Sequence, residues 1–135
     1  INKILIDAYS GNIKLYNNGD FIRDYIFIDD AINAFLTAGK KIQNLKDDYY
    51  YIGSNIGYEL RNVIQLIQDA LKHSYGISSK LSKENVDLNS FDTRNFSSDS
   101  SLFRSKTGWQ PKINLKSGIK MTIDYIIENK LKFNI

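Results

Sequence analysis

Two arginines stand where their side chains could hold a phosphate group. Arg23 follows the predicted turn Asn17–Asp20 and precedes an apolar run, and Arg94 lies in the irregular stretch FDTRNFSSD just before a predicted helix. A guanidinium presents a planar fork of donors that matches two phosphate oxygens at once. The residues alone leave a second interpretation of Arg23 open, which is a salt bridge to the neighbouring Asp24 or to another acid.

Other side chains offer little chemistry. His73, the only histidine, falls late in an amphipathic helix and off its apolar stripe, which favours a surface position over a catalytic one. Asp29 and Asp30 could pair as acid and base, although capping of the helix that follows explains them equally well. The sequence contains no glycine-rich phosphate loop, no calcium-loop spacing and no cysteine. We therefore predict no catalytic residue and no metal site in this chain.

Apolar periodicity predicts a mixed α/β fold in the order α-β-β-α-β-α-loop-α-α. The polar, serine-rich loop is Gly76–Ser90, and it has room for one short strand. Strands are predicted at Ile13–Tyr16, Tyr25–Ile28 and Tyr49–Gly53, and the last has the continuous apolar character of a buried parallel strand.

The helix that opens at Asp29–Asp30 is predicted from the apolar positions Ile32, Phe35, Leu36 and Ile42, which keep helical spacing to about Gln43. The next helix, up to His73, is predicted to carry one apolar stripe, formed by Leu60, Val63, Ile64, Ile67 and Leu71. A short helix capped by Asp99 is predicted through Lys106. Asn114 is predicted to cap the last helix, whose buried side is formed by Leu115, Ile119, Ile123, Ile126 and Ile127.

The bulk properties fit one compact domain over residues 1–135. Apolar residues make up 42% of the chain, and no apolar run approaches the roughly 20 residues of a membrane-spanning helix. The net charge of +3 is spread along the chain, which gives little support to nucleic-acid binding. We therefore expect a cytoplasmic protein without membrane or nucleic-acid partners. Because the chain begins at Ile1 rather than methionine, we also expect it to be a piece of a longer protein.

Three motifs in order resemble one known family. They are LYNNGDFIRDYIFIDDAINAF, YYIGSNIGYELRNVIQLI and FDTRNFSSDSSLFRSKTGWQPKINLKSGIKMTIDYI, and together they cover nearly the whole chain. This combination is similar to the C-terminal portion of the extended short-chain dehydrogenases that act on nucleotide sugars, a group that includes 4-epimerases and 4,6-dehydratases. The resemblance implies a small mixed α/β region of a Rossmann-type enzyme, without its dinucleotide-binding fingerprint and N-terminal domain.

The resemblance also implies roles for particular residues. Arg23 and Arg94 would hold the diphosphate of a nucleoside diphosphate-sugar from opposite sides. Leu15 and Tyr16 would lie along the nucleobase, largely through their backbone, and Asp24 would orient the loop rather than contact ligand. The parent enzyme would use NAD or NADP and act as an isomerase or lyase in polysaccharide biosynthesis. The resemblance gives Trp109 and Pro111 a structural role, which is to fix the final helix against the domain.

Two departures from the family limit what this chain can do alone. The family uses a Tyr-x-x-x-Lys pair, yet none of the nine tyrosines has a lysine four residues later, and the cofactor's glycine loop is absent. The chain alone is therefore expected to bind no cofactor and to be inactive. Its expected partners are the nucleotide sugar, its own N-terminal Rossmann domain and a second copy in a homodimer. The alternative is a stand-alone, non-catalytic nucleoside-diphosphate binding module.

Overall fold

The computed structural model describes residues 1–85, 87 and 94–129 and divides into two compact units. The first unit comprises Ile1–Phe21, Glu59–Arg94 and Lys116–Ile135. The second comprises Ile22–Tyr58 and Asn95–Leu115. The sequence predicted a single domain over residues 1–135, and the two units are described separately below.

The mixed α/β class predicted from the sequence is confirmed by the order of the elements. None of the helices in the described ranges is long and apolar enough to cross a membrane. A 3₁₀ turn, Ile42–Asn44, separates the second helix from the third strand. The elements are α1 (Asn2–Tyr9), β1 (Asn12–Tyr16), β2 (Ile22–Asp24), α2 (Ile28–Lys40), β3 (Gly57–Glu59), α3 (Leu60–Tyr75), β4 (Lys80–Glu84), α4 (Ser101–Thr107) and α5 (Leu115–Glu128).

The first unit is organised around a short parallel sheet. β1 pairs with β4, from Asn12 opposite Lys80 to Tyr16 opposite Glu84. The loop predicted over residues 76–90 therefore does contain a short strand. The side chains of β1 alternate between buried and exposed, as expected for a strand with one face on the core. The predicted apolar stripes of α3 and α5 are buried here too. The core residues are Leu5, Ala8, Ile13, Leu15, Val63, Ile64, Ile67, Leu71, Ile119, Ile123 and Ile126.

The predicted turn after β1 is confirmed and is tied to the start of α3. Asn17 and Gly19 have φ of 53° and 66°, in the left-handed region that asparagine and glycine tolerate. The Arg61 N–H donates to the Gly19 carbonyl at 3.1 Å, and the Arg61 guanidinium pairs with Asp20 at 2.5 Å and Glu59 at 2.7 Å. These contacts fix the end of the strand that carries Leu15 and Tyr16.

The second unit has a small aromatic core beside α2. Ala34, Phe103 and Trp109 are buried, and the rings of Phe103 and Trp109 lie 5.6 Å apart between centroids. The N-cap position of α4 is Ser100 rather than the predicted Asp99, which stands one residue earlier and accepts the N–H of Ser101 at 2.9 Å. Gly108 follows α4 in the left-handed conformation, with φ of 74°. The core position of Trp109 agrees with its expected structural role.

Two predicted strands are wrong. The strand β2 ends at Asp24, so Tyr25–Ile28 lies outside it, and Ile28 already begins α2. Residues Tyr49–Gly53 form no strand, and Tyr49 and Tyr51 are exposed. A strand needs a neighbour that accepts and donates backbone hydrogen bonds, and an apolar run alone does not supply one. The strand that pairs with β2 is β3, which the sequence did not predict.

The predictions for α2 also need correction. The residue before its first turn is Phe27, with no side-chain cap, so neither Asp29 nor Asp30 is the N-cap. Both acids lie in the first turn, where negative charge favours the helix dipole. The apolar positions that predicted the helix are exposed in this structure, because the core of the second unit packs on the opposite side of the helix. The exposed residues are Ile32, Phe35 and Leu36, together with Ile42 in the 3₁₀ turn.

Candidate functional site

The carboxylate of Asp24, next to Arg23, joins three segments of the second unit. Its Oδ1 accepts hydrogen bonds from the N–H of Ser54 at 3.0 Å and the hydroxyl of Ser54 at 2.5 Å. Its Oδ2 accepts the N–H groups of Asn55 at 3.2 Å and Ser98 at 3.3 Å, and also the Ser98 hydroxyl. A single side chain therefore fixes β2, the loop after Gly53 and the segment before α4. This agrees with the expectation that Asp24 orients the loop.

A second layer of hydrogen bonds supports the same loop. Asn55 adopts a left-handed φ of 65°, and its Oδ1 accepts the N–H of Ser100 at 2.9 Å. Arg104 donates from Nε to the Ser100 hydroxyl at 2.9 Å and from Nη2 to the Ser54 carbonyl at 3.1 Å and the Gly53 carbonyl at 3.3 Å. The guanidinium of Arg104 is thus used within the protein to hold this loop.

Glycine at position 53 allows these segments to approach closely. A Cβ placed on Gly53 would lie 1.6 Å from the Ser98 Oγ and 2.6 Å from the Asp24 Oδ2. The neighbouring backbone is joined in the same way, since the N–H of Ile22 donates to the Asn95 Oδ1 at 2.9 Å and the N–H of Phe96 donates to the Ile22 carbonyl at 2.9 Å. The segment that begins at Asn95 therefore lies directly beside β2.

The hydrogen bonds also control the charge next to Arg23. Partial burial opposes ionisation of Asp24, but the hydrogen bonds from Ser54, Ser98 and the backbone outweigh it and hold the pKa of Asp24 below its usual value. Burial raises the pKa of the Tyr25 hydroxyl, and the positive charge of Arg23 acts against that rise. Arg23 is consequently followed in the sequence by an ionised carboxylate at position 24 and a neutral phenol at position 25.

The residues predicted to bind substrate are divided between the two units. Arg23 lies in β2, is half-buried, and donates from Nη1 to the Ile22 carbonyl at 2.9 Å. Arg94, in the first unit, is exposed. In the same unit the Leu15 side chain is buried and that of Tyr16 is 41% exposed. Their assembly into one binding site stays a prediction.

The other candidates for chemistry serve structural roles. His73 is exposed near the end of α3, with its Nδ1 2.7 Å from the Asp69 carbonyl oxygen, as the surface interpretation predicted. Asp29 is exposed, whereas Asp30 is buried and its Oδ2 accepts two backbone N–H groups, which gives Asp30 a structural role. Within residues 1–85, 87 and 94–129, no group of three or more metal-ligating side chains comes together.

Asp30 instead fastens the chain beyond Trp109 to α2. Its Oδ2 accepts the N–H groups of Lys112 at 3.0 Å and Ile113 at 2.8 Å. We expect Asp30→Ala to lower the free energy of unfolding by about 2 kcal/mol, because two donors lose a charged acceptor. Urea unfolding followed by Trp109 fluorescence measures this. Asp29→Ala, in the same turn but exposed, is the control and should cost no more than about 1 kcal/mol; equal losses would contradict this role of Asp30.

Comparison with known proteins bears on the whole chain. The sequence profile of the NAD dependent epimerase/dehydratase family matches residues 1–53. The dTDP-glucose 4,6-dehydratase of Haemophilus influenzae is 28% identical over 127 residues, which is 87% of this chain and 36% of that protein. This chain is a relative of the NAD-dependent epimerases and dehydratases. The resemblance inferred from the three sequence motifs is confirmed.

Solved structures of the family share the fold of this epimerase/dehydratase relative. UDP-glucose 4-epimerase from Thermotoga maritima, determined with UDP-glucose, has a TM-score of 0.80 at 22% identity and is matched over 95% of this chain and 39% of its own. dTDP-glucose 4,6-dehydratase from Bacillus anthracis, determined with NAD, has a TM-score of 0.74 at 18% identity, over 96% of this chain and 39% of its own. The chain spans about a third of the length of the curated relatives it matches.

Sequence reasoning missed most of the hydrogen-bond network around Asp24. Ser98 and Ser100 are buried although serine is usually exposed, and Arg104 was placed only in a helix. The dense serine run FSSDSS and the Gly53–Asn55 turn were the available signals, because short hydroxyl and amide side chains often bond to nearby backbone. Neither signal predicts that the serine run and the Gly53–Asn55 turn both contact Asp24.

Proposed function

We propose that this chain is the nucleotide-sugar binding portion of an NAD-dependent epimerase or 4,6-dehydratase, in which Arg23 and Arg94 clamp the diphosphate of the substrate. The observation that carries the proposal is the hydrogen bond from the Ile22 N–H to the Asn95 side chain. Ile22 directly precedes Arg23 in the chain, and Asn95 directly follows Arg94. Arg23 and Arg94 are therefore each covalently next to one of the two residues that this hydrogen bond joins.

The surrounding chemistry favours an anionic ligand with two negative groups. The Asp24 carboxylate accepts hydrogen bonds from groups within the second unit, so we assign it the role of orienting β2 rather than of contacting the ligand. The Arg23 guanidinium donates to the Ile22 carbonyl, and a side chain that is already ordered loses less conformational freedom when it binds phosphate oxygens. Leu15 is buried and Tyr16 is partly exposed. Their proposed contact with a nucleobase rests on the family resemblance.

The first turn of α3 is engaged in contacts within the chain. At the start of α3 the N–H groups of Leu60 and Arg61 already donate to the carbonyls of Phe21 and Gly19, so they are not available to a pyrophosphate. We therefore assign no cofactor contact and no hydride step to this chain. Its contribution to the reaction of the longer enzyme is to bind the sugar nucleotide and hold it in one orientation. That enzyme would be a cytoplasmic homodimer in polysaccharide synthesis.

Substitution of the two arginines tests the proposal. In the polypeptide as translated from its gene, Arg23→Ala and Arg94→Ala should each weaken binding of UDP-glucose or dTDP-glucose by about 1.5–3 kcal/mol, or roughly 10- to 150-fold in Kd, because a charged hydrogen bond is lost. Isothermal titration calorimetry measures the change.

Lys120→Ala is the control for loss of a surface cation, since its ammonium pairs with Asp124 in the same helix, and we expect its Kd to stay within about threefold of the parent. Unchanged affinity in both Arg23→Ala and Arg94→Ala would contradict the proposal that these arginines bind the diphosphate. Full affinity in residues 1–135 alone would instead favour a stand-alone binding module.

A further inference from the structure

The side chain of Asn95 bonds to one edge of the strand β2. The N–H of Ile22 donates to the Asn95 Oδ1 at 2.9 Å, and the N–H of Phe96 donates back to the Ile22 carbonyl at 2.9 Å. Two residues that face each other in an antiparallel sheet exchange two such bonds through their backbones. Here the side-chain oxygen of Asn95 stands in place of a backbone carbonyl. The bond to the Ile22 N–H therefore depends on which amino acid occupies position 95.

The Ile22 carbonyl also accepts a hydrogen bond from Arg23. Arg23 donates from Nη1 to this oxygen at 2.9 Å, which is also the length of the bond from the Phe96 N–H. A carbonyl oxygen has two lone pairs and can accept both donors at once. The Arg23 guanidinium is thus oriented by the same residue whose N–H and carbonyl are bonded to Asn95 and Phe96.

The side chain of Ile22 is held as well. A Cβ placed on Gly57, in the neighbouring strand β3, would lie 2.4 Å from the Ile22 Cγ2, so Ile22 packs directly on the backbone of that strand. Its carbonyl is joined to Phe96, and its N–H depends on Asn95 for an acceptor. Removal of that acceptor would leave a half-buried donor without its partner and would loosen the residue that orients Arg23.

We propose that Asn95 is a positioning residue for Arg23 and that it holds the guanidinium in the orientation that binds the substrate diphosphate. This rests on the proposed function, in which Arg23 contacts that diphosphate. The Asn95 Oδ1 is used on the Ile22 N–H, so Asn95 acts through Arg23 and is assigned no ligand contact of its own. A misplaced guanidinium binds phosphate less tightly, because charge-assisted hydrogen bonds need short distances and good alignment.

A double-mutant cycle between positions 95 and 23 tests this role in the polypeptide as translated from its gene. Asn95→Leu keeps a side chain of similar size but removes the acceptor. In the parent background it should weaken UDP binding roughly fivefold, as expected for the loss of one hydrogen bond. In the Arg23→Ala background it should change the Kd for UDP by less than about twofold, because the group on which Asn95 acts is absent. Isothermal titration calorimetry measures all four proteins.

Asn44→Leu is the matched control. Asn44 is exposed in the same unit and also bonds to a backbone group distant in sequence, from its Nδ2 to the Lys106 carbonyl at 3.2 Å. Lys106 belongs to α4, so this bond joins other segments than the one at Asn95. We expect Asn44→Leu to leave the Kd for UDP within about twofold of the parent. Asn95→Ala repeats the cycle if Asn95→Leu fails to fold.

Three outcomes would overturn the proposal: unchanged UDP affinity in Asn95→Leu, the same loss in both backgrounds, or the same loss from Asn44→Leu. The last two are expected of a residue that only stabilises the fold. A loss from Arg23→Ala with none from Asn95→Leu leaves the proposed function standing and removes the role of Asn95. Unchanged affinity in Arg23→Ala removes the role of Arg23, and the role of Asn95 with it.

Discussion

Asp24→Ala should lower the free energy of unfolding by about 3 kcal/mol, because it removes the acceptor shared by Ser54, Asn55 and Ser98. Each donor must then find water or remain unpaired, and a partly buried unpaired group is costly. Urea unfolding can be followed by the fluorescence of Trp109, the only tryptophan, which lies in the core of the same unit. Asp48→Ala, at an exposed position, is the control and should change stability by less than about 0.5 kcal/mol.

The same substitution should change the response to acid. Because the pKa of Asp24 is lower in the folded protein than in the unfolded chain, its stabilisation is complete above the unfolded value of about 4 and is lost as the pH falls through the folded value. The unfolding free energy of the parent should therefore fall more steeply below about pH 4 than that of Asp24→Asn. Parallel curves for the two proteins would show that the carboxylate is not held in its ionised form by the fold.

Gly53→Ala is the second substitution with a large expected effect. Its Cβ would meet the Ser98 Oγ at 1.6 Å and the Asp24 Oδ2 at 2.6 Å, so the loop must move away from β2 and break part of the network. We expect a loss of about 3 kcal/mol in unfolding free energy, at the upper end for overpacking of a small site. Because Arg23 adjoins Asp24, weaker nucleotide binding should accompany it.

Gly39→Ala provides a matched control with the opposite sign. Gly39 lies in α2, and an added Cβ has no atom within 4 Å. Alanine restricts the unfolded chain and favours the helix, so stability of the 135-residue chain should rise by about 0.5–1 kcal/mol. Equal destabilisation by both substitutions would show that the contacts of Gly53 with Asp24 and Ser98 are not the cause.

The sequence predicted those elements that the chain completes by itself. The stripe from Val63 to Leu71 in α3 and the turn at Gly19 depend on local spacing and on backbone conformations that glycine adopts easily. Both predictions hold in the structure. The last helix was predicted for the same reason, and its buried residues Ile119 and Ile123 are confirmed.

The failures occur where an element depends on something the sequence does not specify. Tyr49–Gly53 has the composition of a strand, and the side of α2 around Phe35 has the composition of a core. Among residues 1–85, 87 and 94–129, however, no strand pairs with Tyr49–Gly53, and Phe35 stays exposed. Periodicity reports that a surface is apolar and does not report what packs on it. The network at Asp24 was missed because residues 54, 98 and 100 are far from position 24 in sequence.

The candidate site could be predicted in part, from the family motifs rather than from residue chemistry. Taken alone, Arg23 had equal claims to a salt bridge and to a phosphate. In the structure the oxygens of Asp24 accept hydrogen bonds from backbone and hydroxyl donors, and both interpretations of Arg23 stay predictions.

Discrimination between a nucleoside diphosphate and a nucleoside monophosphate tests the central claim most directly. Calorimetric titration of the translated polypeptide with UDP and with UMP, repeated for the double variant Arg23→Ala/Arg94→Ala, reads the clamp as a ratio of two affinities. The parent should bind UDP at least tenfold more tightly than UMP, and the double variant should bind the two with nearly equal Kd. A preference for UDP that survives loss of both arginines would contradict the account.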